Sequence, residues 1–408
     1  MTVSSQFKLT SAISVLLWTC LSFSVHAQSA TSAVRAVVFK PLQAAQEALK
    51  NNQVQQAMTL AKEALSVPQL SAYELVSVQR TLAVAAFNAN DHAQASASLL
   101  VLLAQPDLSV TDQRIFLESL IEARLQLKDH QGVEKWARQY LAVEGAKPAI
   151  RLVLLQSLSA QNANEEVVVQ AQAWLIQDAA GGVKISEAEL RTLAVSYRNL
   201  KDQVGYETTL LRLLERHPSK EYWAEAITRQ AQKPNVNPRL EFDMYRLLEE
   251  TDNLDDAAEH VEMAELALKA GLPADAQRVF NAGFAKGILG QGPQSAAHHK
   301  LRQQIEAKVA EDEKLIDALE HAANDGNSWA AVGDVRLSQQ QWALAKTAYG
   351  KALVAGGLRR EAEVLLHHAI ALFKSGDPEQ CRKTLRAIKD EKTAVALANL
   401  WRIRTLPY

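Results

Sequence analysis

Equivalent positions recur along this 408-residue chain at a spacing typical of helix pairs. The series consists of Ala57, Ala95, Val133, Val167, Tyr206, Ala276, Ala345 and Cys381. Neighbours in the series lie 34 to 39 residues apart, or about twice that where a weaker unit intervenes. Such a period is the signature of a repeat array, in which each unit buries its apolar face only against its neighbours. The pattern therefore predicts an all-α solenoid.

Six residues near the C-terminus carry a more specific pattern. Their spacings are 3, 1, 12, 4 and 3, in the series Trp329, Val332, Gly333, Ala345, Tyr349 and Ala352. This set resembles the signature of tetratricopeptide (TPR) repeats, although Arg336 replaces the usual aromatic residue. The resemblance covers most of residues 41–390. It implies a right-handed TPR-like α-solenoid of antiparallel helix pairs.

Small residues of the repeats are expected to let the two helices of a pair approach each other. Gly333 and Ala345 are small counterparts on facing helices, and Tyr349 fills the space beside them. A role in packing the repeats is predicted for Ala57, Ala95, Ala276, Phe280, Gly333, Ala345, Tyr349 and Ala352. These residues are expected in the interior of the stack.

The repeat rhythm is interrupted once, by a charged stretch from Gln294 to Ala323 that follows the Gly-rich segment 287–293. This stretch has the composition of a longer helix pair. The sequence therefore predicts three parts of the mature chain: an N-terminal TPR-like solenoid (28–290), an atypical helical segment (291–327) and C-terminal TPR-like repeats (328–408).

Residues 1–27 have the features of a secretory signal peptide. Lys8 supplies a positive charge, residues 12–25 are mostly apolar, and Val25-His26-Ala27 provides a cleavage site after Ala27. Removal of this segment leaves Cys381 as the single cysteine, so no internal disulfide is expected. Cys381 lies in an apolar helical pattern and is predicted to be buried. We expect an exported, periplasmic protein of a Gram-negative bacterium.

The charge balance is unlike that of a nucleic-acid-binding protein. Lys and Arg number 44 against 46 Asp and Glu, whereas such proteins carry a basic excess. No apolar run of the mature chain reaches the roughly 18 residues that a membrane span needs. The sequence therefore predicts neither a nucleic-acid partner nor a transmembrane segment.

The first helix of each TPR pair is expected to line a concave groove that binds a peptide or a partner helix. Candidate groove residues lie in the second and fifth repeats: Arg80, Phe87, Asn88, Arg191, Arg198 and Asn199. The TPR carboxylate clamp uses Lys and Asn at fixed first-helix positions. Here Val84 and Val195 replace its inner Asn, which argues against a clamp.

Other chemically capable residues have simpler interpretations. Glu118 and Glu122 lie one turn apart and are interpreted as a solvated acidic face. The adjacent pairs His298-His299 and His367-His368 lack the i, i+4 spacing of a chelating pair. The tryptophans are interpreted as core residues. With no catalytic motif, the sequence predicts no catalytic residue, no metal site and no cofactor.

The mature chain also resembles uncharacterised secreted bacterial TPR proteins, through the stretches 41–49, 221–224, 263–271 and 400–401. We therefore expect a non-catalytic periplasmic scaffold or adaptor that binds a protein or peptide partner through the concave face. The alternative is a chaperone-like envelope assembly or export component, acting with outer-membrane proteins, polysaccharide or energy-transduction machinery.

Overall fold

The computed structural model describes residues 34–407, apart from the side chain of Glu313, and these residues form helices and no strand. The predicted signal peptide, residues 1–27, lies outside the described residues. None of the described helices combines the length and the apolar character needed to span a bilayer. The all-α fold class is confirmed.

The chain divides into two compact units, of which unit 1 ends at Gln203 and unit 2 begins at Val204. This division does not coincide with the limits predicted near residues 290 and 327. Those limits rest on an interruption of the repeat rhythm, whereas the units are defined by packing. The three-part organisation stays a prediction, and the segment 291–327 belongs to unit 2.

Unit 1 consists of nine described helices joined by short turns. They are α1 (Ala36–Lys50), α2 (Val54–Leu65), α3 (Ala72–Asn88), α4 (His92–Leu103), α5 (Val110–Gln126), α6 (His130–Leu141), α7 (Ala149–Ala160), α8 (Asn164–Ala179) and α9 (Glu187–Asn199). Each of the pairs α1/α2, α3/α4, α5/α6 and α7/α8 packs together, and neighbouring pairs pack on one another. This is the antiparallel arrangement of TPR-like repeats.

Unit 2 contains eleven described α-helices, the first of which begins one residue before the start of the unit. They are α10 (Gln203–Arg216), α11 (Lys220–Ala231), α12 (Glu241–Glu250), α13 (Ala257–Lys269), α14 (Pro273–Ala285), α15 (Ser295–Ala322), α16 (Gly326–Ser338), α17 (Trp342–Ala355), α18 (Glu361–Lys374), α19 (Pro378–Ala387) and α20 (Lys392–Arg404). A short 3₁₀ turn, Gly292–Gln294, precedes α15. The predicted longer helix pair at residues 294–323 is wrong, because no turn interrupts the 28 residues of α15.

One turn geometry ends the first helix of each of the eight repeats in the series. A residue with positive φ stands five positions before each member of the recurring series that begins at Ala57: Asn52, Asn90, Lys128, Asn162, Lys201, Gly271, Gln340 and Gly376. In each turn this residue donates its N–H to the carbonyl three residues back, and the next residue donates five back, as Lys128 and Asp129 do. This is the Schellman motif, which satisfies carbonyls that the helix end would leave unpaired. Each position of the series thus lies at a fixed distance from a local backbone structure.

The next helix often begins with a side-chain cap that the sequence supplies locally. Asp91, Asp129 and Asp377 accept an N–H from the third residue of the second helix in their repeats. Ser71 and Ser186 do the same for first helices, each as part of a capping box with a Glu three residues on. Such caps are each worth about 1 kcal/mol.

The repeat-packing residues lie in the interior of their units. All eight of Ala57, Ala95, Ala276, Phe280, Gly333, Ala345, Tyr349 and Ala352 are buried. At Gly333 the reason is steric, because a Cβ there would lie 2.6 Å from the ring of Tyr349 on the paired helix. Cys381 is also fully buried, and burial raises the pKa of its thiol to about 12. The thiol is therefore held in its neutral form.

Candidate functional site

The sequence predicts a binding surface on the first helices of unit 1, which we call the first-helix face. It consists of the candidate residues on α3 and α9 and of three residues between them: Glu118, Glu122 and Gln156. On α3, Asn88 is exposed and Phe87 is partly buried against the cores of two neighbouring repeats. Arg80 is not a free cation, since its Nη2 donates to Asp112 at 2.8 Å and its guanidinium lies over the Phe116 ring. Arg80 therefore stabilises the contact between α3 and α5.

The two candidate arginines on α9 carry positive charge that no described residue neutralises. Arg191 and Arg198 are exposed, and neither forms an ion pair with any residue that the structure describes. They lie seven residues apart, which is two helical turns or about 10.5 Å along the axis. Asn199 donates to the side chain of Asn164 at 3.1 Å. Because α5 and α7 stand between α3 and α9 in the stack, the six candidate residues do not form one contact cluster.

The interpretation of Glu118 and Glu122 as a solvated acidic face is wrong. Glu118 is mostly buried and accepts hydrogen bonds from Lys147 at 2.8 Å and from the Tyr140 hydroxyl at 3.4 Å. Burial, with the neighbouring charge of Glu118, raises the pKa of Glu122. The centre of the face is thus a partly neutralised acidic patch that is coupled to the next repeat.

In unit 2 the corresponding face is already occupied, which sequence reasoning missed. Three ion pairs join α12 and the residues before it to α18, namely Arg239–Glu363, Asp243–His367 and Glu250–Lys374. Each pair is separated by 124 residues, so α12 lies parallel to α18 and in a fixed register with it. Arg404 on α20 adds a second cation to Glu250 at 3.0 Å.

One of the residues that hold α12, Lys374, occupies a position of the predicted groove. Lys374 stands two residues before the left-handed residue Gly376, as Asn88 and Asn199 stand two residues before Asn90 and Lys201. The signal for this docking was present in the sequence as matching seven-residue spacings, Asp243 to Glu250 and His367 to Lys374. The two matching spacings could be interpreted only with the knowledge that α12 and α18, which are far apart in the sequence, lie side by side.

A buried network of charges connects α12 to α14 and α16. Arg246 donates to Asp243 at 3.1 Å and to Asp275 at 2.6 Å, and all three side chains are buried. Asp275 also accepts from Arg278, and its backbone N–H donates to Ser338 at 2.9 Å. Because each charge has an opposite partner, the network avoids the large cost of an unpaired buried ion.

His367 extends this network by lying between two carboxylates. Its Nε2 is 3.0 Å from Asp243 and its Nδ1 is 2.8 Å from Asp334, which also accepts from the Tyr349 hydroxyl at 2.7 Å. Burial lowers the pKa of His367, but Asp243 and Asp334 outweigh this effect and raise it to about 10. For the acid Asp243 the directions are reversed. Burial raises its pKa, but the positive charges of His367 and Arg246 outweigh burial and bring this pKa below its usual value.

A cavity of about 280 Å³ adjoins this network. Three cations and three carboxylates line it, and they pair with one another as Arg246–Asp275, Arg278–Glu249 and Lys374–Glu250. Trp342 and Trp401 form part of its wall. The tryptophans are therefore not uniformly core residues, since Trp342, Trp136 and Trp329 are only partly buried. The described residues contain no His/Cys/Asp/Glu group suited to hold a metal ion.

The stability of unit 2 is expected to fall as the pH rises above neutrality. An unfolded histidine has a pKa near 6.5, so the contribution of protonated His367 is complete below about pH 6.5 and is lost as the pH rises toward 10. The difference in the free energy of unfolding between the wild type and His367→Gln should therefore shrink by roughly 2–4 kcal/mol between pH 6 and pH 10. Urea unfolding of both proteins at several pH values measures this difference.

The exposed His299 provides the control. The variant His299→Gln should follow the wild-type stability profile over the same pH range. An advantage of the wild type over His367→Gln that stays constant from pH 6 to pH 10 would show that His367 is not held in its protonated form by Asp243 and Asp334.

Comparison with known proteins gives matches to structures alone. No family model and no curated protein matches the sequence, whereas 91 solved chains match the structure. They include the Naa15/Naa10 complex bound to HypK-THB, with 15% identity and a TM-score of 0.39, covering 86% of this chain. This chain spans about half of that one, 52% of its length.

Two further matches cover more of the solved chain. Yeast Tom70 has 10% identity and a TM-score of 0.26, over 90% of this chain and 96% of that one. A TPR protein from Parabacteroides merdae has 11% identity and a TM-score of 0.23, over 83% of this chain and all of that one. The TPR-like assignment itself rests on the recurring turns and the helix pairs of this chain.

Proposed function

We propose that this chain is a non-catalytic scaffold or adaptor that holds a protein partner on the first-helix face of unit 1. The observation that carries the proposal is the docking of α12 on α18, which uses first-helix positions of a TPR-like repeat to hold a helix through ion pairs. On the first helices of unit 1, the exposed Asn88 of α3 stands at the position of Lys374, and the exposed Arg191 and Arg198 of α9 each stand one residue before the positions of His367 and Lys374.

The face has the dimensions of a recognition surface for a chain segment. Packed helices lie about 8–10 Å apart, so the step from α3 through α5 and α7 to α9 covers roughly 25–30 Å. A helix of about 18 residues or an extended segment of about 8 residues spans that distance. Polar groups at both ends can fix the register of such a segment, while the partly buried Phe87 provides an apolar contact.

Site-specific photo-crosslinking tests this function. A photoreactive residue at Gln156, exposed at the centre of the face, should capture a defined protein in cells, and one at Val169 on the second helix α8 should not. Capture at Gln156 should weaken in an Arg191→Ala/Arg198→Ala background. Equal capture at both positions, or none, would contradict a partner site on this face.

We also propose that the chain acts in the periplasm after removal of residues 1–27, on the strength of its N-terminal sequence pattern. N-terminal sequencing of the protein from an envelope fraction should then begin at Gln28. The identity of the captured partner separates a general adaptor from an envelope assembly or export component, since the second requires an outer-membrane or export protein.

A further inference from the structure

We infer that α9 binds an acidic amphipathic helix whose carboxylates lie seven residues apart. This inference rests on the proposed function and specifies the chemistry of the partner. Its starting point is the internal complex of unit 2, where Asp243 and Glu250 on α12 meet His367 and Lys374 on α18. Both helices carry these charges two turns apart, so two parallel helices can form two ion pairs.

The α9 helix presents the cationic half of such a complex. Arg191 and Arg198 repeat the seven-residue spacing of His367 and Lys374. Relative to the left-handed turn residues, Lys201 and Gly376, each arginine stands one residue before the position of its counterpart on α18. Both are exposed and have no acidic partner among the described residues. The repeat that carries α18 has its acidic helix within the chain, whereas α9 offers the same charge spacing at the surface.

The two arginines of α9 favour an acidic partner over a basic or neutral one. Two arginines about 10.5 Å apart along the helix axis give a carboxylate pair on a facing helix two charge-assisted hydrogen-bonding sites. A basic helix would meet repulsion at both. Asn199, which stands at the position of Lys374, donates to the side-chain amide of Asn164, whereas Lys374 pairs with the carboxylate of Glu250.

A designed helical peptide tests the inference. The probe is an Ala/Leu-based helix of about 18 residues with Glu at positions i and i+7, and its matched control has the same composition with Glu at i and i+5. The first peptide should bind the full chain at least tenfold more tightly than the control, because only i and i+7 lie on one face. Titration calorimetry at low and at physiological salt measures the affinities.

Variants of the chain assign the binding to α9. Arg191→Ala/Arg198→Ala should weaken binding of the i, i+7 peptide about tenfold, whereas Lys62→Ala/Lys135→Ala, at exposed positions of α2 and α6, should not. The charge-reversed variant Arg191→Glu/Arg198→Glu should prefer a peptide with Lys at i and i+7. Circular dichroism checks that the variants keep their helical content.

Two results would overturn the inference: equal affinity for the i, i+7 and i, i+5 peptides, or unchanged affinity in the Arg191→Ala/Arg198→Ala variant. Either result leaves the proposed function standing if Gln156 still captures a partner. Conversely, peptide binding through α9 with no capture at Gln156 would support the inferred binding chemistry of α9 but contradict the proposed scaffold function.

Discussion

Replacing Arg246 by methionine is expected to destabilise unit 2 by about 3–5 kcal/mol. Methionine can fill much of the space of the arginine stem, so the main loss is electrostatic. Asp243 would keep only His367 as its cationic partner and Asp275 only Arg278, although both carboxylates are buried. Removing one member of a buried ion network leaves charges that have lost their solvation without full compensation. Urea unfolding followed by tryptophan fluorescence measures the effect.

Two further variants separate charge from packing. Lys308→Met, which removes an exposed pair with Glu311 on α15, should leave the unfolding midpoint unchanged. The triple variant Asp243→Asn/Arg246→Met/Asp275→Asn should recover most of the lost stability, since it leaves no unpaired carboxylate at this position. An Arg246→Met protein within about 1 kcal/mol of the wild type would show that the network contributes little to the docking of α12.

The repeat architecture is encoded locally, which is why the sequence predicts it. The left-handed turn residue, the cap after it and the small residue five positions on all lie within a few residues, as at Lys128, Asp129 and Val133. Hydrogen bonds of the Schellman turn and the cap form within that segment. The pattern can therefore be read without knowledge of the tertiary structure, and it holds even in repeats where Val or Tyr replaces the small residue.

The candidate site depends on contacts that no local pattern contains. The docking of α12 on α18 joins residues 124 positions apart, and the N–H of Asp275 reaches Ser338 across 63 positions. Charges at Asp243, Arg246 and His367 look like solvated residues until their partners are known. The same holds for Glu118, whose partner Lys147 lies in the turn before α7. Sequence periodicity located the first-helix face but did not show which part of it is occupied.

Gly333→Ala and Gly350→Ala are expected to change stability in opposite directions, although both glycines lie in helices of the same repeat. A Cβ at Gly333 would lie 2.6 Å from the buried ring of Tyr349, whereas a Cβ at Gly350 would meet nothing within 4 Å. Alanine at 350 should stabilise unit 2 by about 1 kcal/mol through its higher helix propensity. Alanine at 333 should destabilise it by about 1–3 kcal/mol, because the ring must move within a packed interior.

A double-mutant cycle tests whether the Tyr349 ring is the cause. In a Tyr349→Leu background, Gly333→Ala should cost at least 1 kcal/mol less than in the wild type, since leucine lacks the ring atoms Cε1 and Cζ, which lie 2.6 and 2.9 Å from the new Cβ. Urea unfolding of the four proteins gives the coupling energy. If the cost of Gly333→Ala were the same in both backgrounds, the close approach of α16 and α17 would not depend on this contact. The small residue that defines the TPR-like signature would then need a different physical explanation in this repeat.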